Sequence, residues 1–325
     1  KSPVDEQFSR DENEALVNSS WRFRHWLGTG VRGEDVLSGL IHGASISLTI
    51  GFLSMLIASF IGLLLGSMAG FFGDEKLITT RGKFWWMTVA IILGWFYGFS
   101  NRSIVLEQAI SNGGFSLFNQ LMFSIFIFVF VLMIFSFFGK IFKHIPLLNK
   151  QVSVPVDFLV SRCIEILHSL PLFILIITVA SIARASFINL MIIIGLTSWT
   201  GIARLTRAEF LRIRQLDFIQ AAQSLGYNNW RIILKHALPN ALAPALVSIA
   251  FGVAGAILTE SSLSFLGIGV PVDVQTWGKM LSEGKANFSA WWLVVFPGLM
   301  IFISVVCYNI IGEGLREALD PKLKK

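Results

Sequence analysis

Few residues in this 325-residue chain combine a reactive type with a telling place. Glu165 and Glu260 each lie in or beside an apolar run, and a carboxylate there is a functional candidate by default because its charge is costly to bury in hydrocarbon. For Glu165 the competing reading is an i,i+3 ion pair with Arg162 at headgroup level, and for Glu260 an ordered helix end before an external loop. Gly28-Thr29-Gly30-Val31-Arg32-Gly33 spells G-x-G-x-x-G, but no strand precedes it and no βαβ unit follows. About 20 residues on, Ser47 to Gly51 offers no acid for a ribose, so the dinucleotide reading is rejected. No G-x-x-x-x-G-K-[ST] stretch occurs, so any ATP must be bound by another subunit. His25, His42, His144, His168 and His236 form no i,i+4 pair, and Cys163 and Cys307 fall inside apolar runs, where buried core thiols are expected. No catalytic residue, metal site or cofactor of this chain's own is expected.

The elements that must position these residues are membrane spans. Hydrophobic residues make up 54% and charged residues only 14%, against about 25% charged in a soluble domain, and the mean hydropathy is +0.69. The net charge of +6 suits cytoplasmic loops and headgroup contact rather than nucleic acid. A helix needs about 20 apolar residues to cross the hydrocarbon core. Seven runs qualify: Gly43 to Gly73, Phe84 to Phe99 (the shortest), Phe118 to Gly139, Phe158 to Ala183, Phe187 to Ala203, Ala241 to Glu260 and Ala290 to Ile311. All are expected to be helices, since an isolated strand would leave backbone groups unpaired in lipid. The fold class is therefore all-α, a polytopic transmembrane helical bundle.

Basic residues set the orientation. Arg204, Arg207, Arg212, Arg214, Arg231 and Lys235 follow one span, and Arg316, Lys322, Lys324 and Lys325 follow the last, so both segments are expected on the cytoplasmic side. Counting back puts Lys76, Arg81, Lys83, Lys140, Lys143 and Lys150 inside and residues 1–42 outside. The chain begins with Lys1 rather than Met, and Lys1 to Glu14 has no apolar signal region, so the numbering is expected to start within a longer protein or after a removed terminus. Trp85, Trp86, Trp291 and Trp292 are placed as headgroup anchors. Gly62, Gly66 and Gly70 recur every four residues and predict a helix face that a neighbouring backbone can approach.

The most informative polar stretch is 207–240, RAEFLRIRQLDFIQAAQSLGYNNWRIILKHALPN. Leu211, Phe218, Ala222 and Leu225 recur at 7, 4 and 3, as on one face of a single helix, and Gly226 can end it with φ > 0. Asn228 or Asn229 can cap a second short helix through Ile232 and Ile233, and Pro239 suits the first turn of the next span. The small side chains of Ala221 and Ala222 would let a partner protein pack closely. The plain alternative is an interfacial amphipathic segment.

This stretch resembles a known signature. Gln220-Ala221-Ala222, Gly226 and Leu238-Pro239 are similar to the E-A-A-x-x-x-G-x(9)-I-x-L-P pattern of ABC importer permeases, with Gln220 in place of Glu and His236 in place of Ile. His25-Trp26-Leu27-Gly28-Thr29 with Asp35-Val36-Leu37-Ser38 resembles the H-P-L-G-T…R-D-V-L-S of the dipeptide, oligopeptide and nickel branch. Glu260-Ser261-Ser262-Leu263-Ser264-Phe265-Leu266-Gly267 with Trp277-Gly278, and Ala318-Leu319-Asp320-Pro321-Lys322, resemble its E-A-S-L-S-F-L-G…W-G and A-L-D-P-R. In their order these matches fit the C-type member of the permease pair.

The resemblance implies a non-enzymatic subunit of a binding-protein-dependent importer in the bacterial cytoplasmic (inner) membrane, multi-pass, with its C-terminus in the cytoplasm. Its partners would be a homologous second permease, two ATP-binding subunits that hold ATP and Mg, an extracytoplasmic substrate-binding protein and membrane lipid. The loop 207–240 would dock on an ATP-binding subunit through Gln220, Ala221, Ala222, Gly226, Leu238 and Pro239, and Glu165 and Glu260 would be candidates for the translocation path. The implied plan is an external segment 1–42 lacking the family's first span, a span at 43–73, an insert at 74–154 with two extra apolar segments, core spans over 155–315, and a cytoplasmic tail at 316–325. Peptides are the expected cargo, with nickel complexes or oligosaccharides as alternatives. An ion-coupled transporter or channel would instead need a broken helix or paired carboxylates at mid-membrane and inverted repeats, none of which is legible, and a membrane scaffold or sensor is a third class.

Overall fold

The computed structural model describes residues 25–31, 33–111, 114–138, 149–182, 185–271, 274–286 and 289–319. The expectations placed on residues 1–24, Arg32, Lys140, Lys143, Ala183 and residues 320–325 lie outside these. The chain divides into two compact units, residues 1–71 with 159–325, and residues 72–158.

The described part of the first unit opens with a tight turn rather than a nucleotide loop. Gly28 and Gly33 adopt φ of +88° and +81°, and Gly30 N donates to Glu34 O at 2.7 Å. Asp35 then receives Ser38 N at 2.9 Å and starts α1 (Val36–Phe72), 37 residues long. The helix stops where Gly73 takes φ +61°.

The second unit is a hairpin. Strand β1 (Ile78–Thr80) leads to α2 (Arg81–Trp95), capped by the Thr80 side chain and continued by π-helical Phe96–Ser100. Then come α3 (Ser103–Ser111), α4 (Gly114–Phe138) and β2 (Gln151–Ser153), which pairs antiparallel with β1 in the register Ile78↔Ser153. Glycines again set the approach: Gly94 and Gly98 lie against Phe128, and Trp86 stacks on Phe135 at 4.8 Å. At the other end Arg102 reaches Ser124 Oγ at 3.1 Å and Gln120, and lies 4.6 Å from the centre of the Phe123 ring.

After the hairpin, α5 (Val156–Ser169) and α6 (Leu172–Ile182) meet at an 83° bend, then α7 (Phe187–Ile213) starts at the Ser186 cap. Next are α8 (Asp217–Ser224), α9 (Asn229–Arg231), a π-helical stretch Ile232–Ala237 and α10 (Leu238–Phe265), the last three forming one helical path of 37 residues. Helix α11 (Trp277–Ala286), the outer helix in the orientation expected above, and α12 (Trp292–Leu319) complete the described chain. Within the first unit α10 packs on α7, α11 and α12. Helix α1 lies close along α7, where a Cβ at Gly66 would stand 2.5 Å from Ala203 O and one at Gly62 2.9 Å from Trp199 O.

Several expectations change. Among the described residues five helices are long and apolar enough to cross a membrane, six if the bent pair counts as one span, not seven. The run Phe84 to Phe99 lies in one continuous helical stretch, α-helical over Arg81–Trp95 and π-helical over Phe96–Ser100, that is not among these spans. Phe158 to Ala183 is not one straight span: Pro171, with no N–H to donate, opens a new helix at the break. A broken helix is therefore present where none was legible. Cys163 and Cys307 face outward and are not core thiols. Trp85 and Trp291 are exposed as headgroup anchors would be, whereas Trp86 stacks inward and Trp292 donates from Nε1 to Thr29 O at 3.0 Å.

Candidate functional site

The polar stretch between α7 and α10 is a compact surface loop built on its own small core. Ile213, Ile219, Ile232 and Ile233 are fully buried, with Ala222 and Ala237 beside them, so the apolar positions of two short helices close over the end of α7. The single helix expected through Leu211 to Leu225 is in fact two: α7 ends at Ile213, and a turn through Arg214 to Leu216 re-aims the chain before Asp217. Arg214 Nη1 points to Gly70 O at 3.5 Å, which ties this turn to the end of α1.

The end of α8 follows the expectation closely. Gly226 has φ +77°, its N–H donates to Gln223 O at 2.9 Å, and Tyr227 N donates to Ala222 O at 3.2 Å, the paired bonds of a Schellman turn. Asn228 Oδ1 accepts from Trp230 N at 3.0 Å and caps the next helix. The Arg231 guanidinium lies 4.7 Å from the centre of the Tyr227 ring, and the His236 ring stacks with Tyr227 at 6.2 Å. Leu238 and Pro239 form the first turn of α10.

This frame sorts the expected docking residues. Ala222 is turned inward and is part of the loop core, while Ala221 and Gly226 face out. Gln220 is exposed, and its Nε2 donates back to Gln215 O at 3.1 Å. Around them stand apolar side chains that the motif does not include: Leu225 is 73% exposed, with Phe218, Tyr227, Trp230 and Leu234 also projecting. Their signal in the sequence is the presence of large apolar residues in a segment too polar to enter lipid. A cavity of about 680 Å³ beside the loop is lined by Glu209, Arg212, Phe218, Pro239 and Arg316. A rigid surface bearing clustered exposed apolar groups can bind another protein.

The two candidate carboxylates have different surroundings. Glu165 is exposed and pairs with Arg162 Nη1 at 2.5 Å, the i,i+3 alternative weighed above. Glu260 is fully buried near the end of α10. Its Oε1 accepts from Ser264 Oγ at 2.7 Å and its Oε2 from Ser261 Oγ at 3.4 Å, while the hydroxyls of Ser47 and Thr276 also lie against the carboxylate. Ser47 and Thr276 were missed by sequence reasoning, because residues 213 and 16 positions from Glu260 carry no local sign of meeting it.

Residues 147–325 match the family described as binding-protein-dependent transport system inner membrane component. The chain is 30% identical over 301 residues to the dipeptide transport system permease protein DppC of Alkalihalophilus pseudofirmus, covering 92% of this chain and 73% of that one. It is 28% identical over 301 residues to the glutathione transport system permease protein GsiD of Pectobacterium atrosepticum, with the same coverage. The oligopeptide transport system permease protein OppC of Haemophilus influenzae is 39% identical over 176 residues, covering 54% of this chain and 57% of its own.

Proposed function

The chain belongs to the family of binding-protein-dependent transport system inner membrane components, the permeases of ABC importers, and on that premise we propose that it forms half of a peptide-conducting path driven by ATP-binding partner subunits. A homologous second permease supplies the other half, two ATP-binding subunits hold ATP and Mg on the cytoplasmic side, and an extracytoplasmic binding protein delivers the cargo. Peptides are proposed as cargo because the dipeptide, glutathione and oligopeptide proteins named above are all peptide permeases. In the proposed orientation the loop 217–237 and the C-terminus lie in the cytoplasm, as the basic residues around them favour.

The observation that carries this reading is the loop's outward face: Ala221, Leu225, Gly226 and Trp230 stand on a frame locked from beneath by Ile219, Ala222, Ile232 and Ile233. An unsupported amphipathic segment lying in headgroups has no need of such a core. In the proposed mechanism ATP-driven closure of the partner subunits pushes this face, and the movement passes into α7 and α10. The ATP-independent transporter reading is not favoured, because the bend between α5 and α6 carries no carboxylate pair and Glu165 is paired with Arg162.

The test is added bulk on the outward face. Ala221→Trp is expected to leave the chain folded and paired with its partner permease while cutting ATPase copurification or uncoupling hydrolysis from uptake by about tenfold or more, since tight interfaces absorb added volume poorly. Gly226→Val is expected to do the same through the strain of a β-branched residue at φ +77°. Leu205→Trp, a similar enlargement on the exposed side of α7, serves as control. Uptake at the normal rate with full ATPase coupling in Ala221→Trp would reduce the loop to an interfacial segment and remove the mechanical support for the proposal.

A further inference from the structure

The cage around Glu260 joins three separate elements. Ser47 comes from α1, Ser261 and Ser264 from α10, and Thr276 from the head of α11, and all four are at most 5% exposed. Each hydroxyl that reaches the carboxylate from another element also holds the outer helix. Ser47 Oγ accepts from Trp277 N at 3.4 Å, and Thr276 Oγ1 accepts from Lys279 N at 3.2 Å. Trp277 is itself buried, and its Nε1 donates to Leu40 O at 3.1 Å. A Cβ on Gly278 would collide with the Ser261 backbone, so α11 lies hard against α10 at this point. A carboxylate has about four acceptor positions, and here four hydroxyls are gathered on it.

The opposite end of the same helical path is the cytoplasmic loop. From Asn229 to Glu260 the path runs through α9, the π-helical stretch and α10, roughly 45 Å at 1.5 Å per residue. It holds two prolines, Pro239 just after the π-helical stretch and Pro244, which has the fully buried Ala241 and Ala245 on either side. A displacement at Asn229 therefore reaches Glu260 through one continuous element, and beyond Glu260 the outer helix is held by buried hydrogen bonds. That outer helix also forms one wall of an apolar cavity of about 880 Å³, lined by Ser261, Phe265, Leu281, Trp291 and Val294.

We propose that Glu260 is a positioning residue for transport: its hydroxyl cage makes α1, α10 and α11 move as one block, so that displacement of the loop at one end of the helical path shifts the outer helix at the other. The inference rests on the importer reading above and adds to it the link between the two faces of the membrane. Glu260 in this role touches no cargo. It acts through Thr276 and Ser47 on the outer helix, and the hydroxyls matter more than the bulk around them.

The experiment uses the assembled transporter, with its ATP-binding subunits and binding protein, in lipid nanodiscs. Single cysteines replace Asn228 on the loop and Lys285 on the outer helix, with Cys163 and Cys307 changed to Ser, and labelling rates are compared with and without ATP plus vanadate. In the otherwise unmodified chain both positions are expected to change rate about threefold or more. Thr276→Val, which removes one hydroxyl at nearly constant volume, is expected to preserve the Asn228 response and ATP hydrolysis within about twofold. The same change is expected to reduce the Lys285 response to less than a third and uptake about tenfold, the scale of one lost buried hydrogen bond. Thr276→Ser restores both, and Glu260→Gln repeats the Thr276→Val pattern. An undiminished Lys285 response in Thr276→Val overturns the inference, and so does a silent Lys285 beside a responding Asn228 in the unmodified chain. If Asn228 itself does not respond, or no ATP-binding subunit assembles, the importer reading fails and takes this inference with it.

Discussion

Helices α1 and α4 are both long and apolar enough to enter a membrane, yet 39% of the most apolar stretch of α1 is buried within the protein and only 6% of that of α4. The difference lies in what each offers a neighbour. Along α1, Gly62, Gly66 and Gly70 form a strip on which Ile202, Ala203 and Phe210 of α7 rest, close enough that no side chain could be added. Helix α4 is crowded with phenylalanines, and Phe123, Phe126, Phe130 and Phe137 point outward. Apolar character alone carries a helix into lipid, where it gains nothing further from touching another helix. Small residues that let backbones meet are what assemble helices there.

Breaking the packed member of this pair gives the largest expected effect. Gly66→Leu sets a side chain against Ala203 O and the Cα of the same residue, backbone that cannot rotate away, and is expected to cost about 3 kcal/mol or more. Size-exclusion profiles and thermal aggregation in detergent should show almost no folded protein. Gly201→Leu on the facing helix sharpens the point, because no described atom lies within 4 Å of a Cβ there, and its melting profile should stay close to that of the unmodified chain.

In the hairpin a polar tie stands beside the close packing of Gly94 and Gly98 on Phe128. Arg102→Leu removes the bonds to Ser124 and Gln120 and is expected to cost the hairpin about 1–2 kcal/mol. Hydrogen exchange should quicken over 103–124 while the amides of α7 and α10 stay protected, and equal quickening in both would refute the separation. Replacing residues 75–156 by a short Gly/Ser linker is expected to leave permease assembly intact and uptake within about tenfold, since so little of α4 is buried. Complete loss of uptake with normal assembly would instead make the hairpin part of the path. Smallest of all is Phe126→Leu on the exposed face of α4, expected to change stability by less than about 0.5 kcal/mol in a chemical-denaturant or thermal series.

Local features of the fold were legible in the sequence where one residue suffices to cause them. Gly226 ends α8 because it can take φ > 0, Asn228 caps α9 with its own side chain, and Pro239 fits a first turn that needs no N–H. The glycine strip of α1 was legible for the same reason, as spacing alone puts its members on one face. Hydropathy, by contrast, averages away direction. The charged helix holding Arg162 and Glu165 and the apolar helix after Pro171 merge into one run although the chain turns by 83° between them. Spacing also misled across Arg214 to Leu216, where the interval from Leu211 to Phe218 imitates a helix that the turn interrupts. In the candidate site, the Ala pair was visible but not that Ala222 faces inward, and Glu260 was visible but not its hydroxyls from Ser47 and Thr276, which only the packing of α1, α10 and α11 brings together.

The two short strands that open and close the hairpin have a consequence for how such a chain could have arisen. Ile78 stands opposite Ser153, Phe158 N donates to Asp74 Oδ1 at 2.9 Å, and Asp157 N points to Gly73 O at 3.4 Å, so the unit leaves and rejoins the chain at a single doorway. Antiparallel partners stand about 5 Å apart, a gap that one or two residues can bridge. A gene could gain or lose everything between these strands without lengthening or redirecting the path into Leu159. The doorway is thus a natural splice point, at which evolution or an engineer can exchange one membrane appendage for another, or for a reporter domain, while the rest of the chain keeps its course.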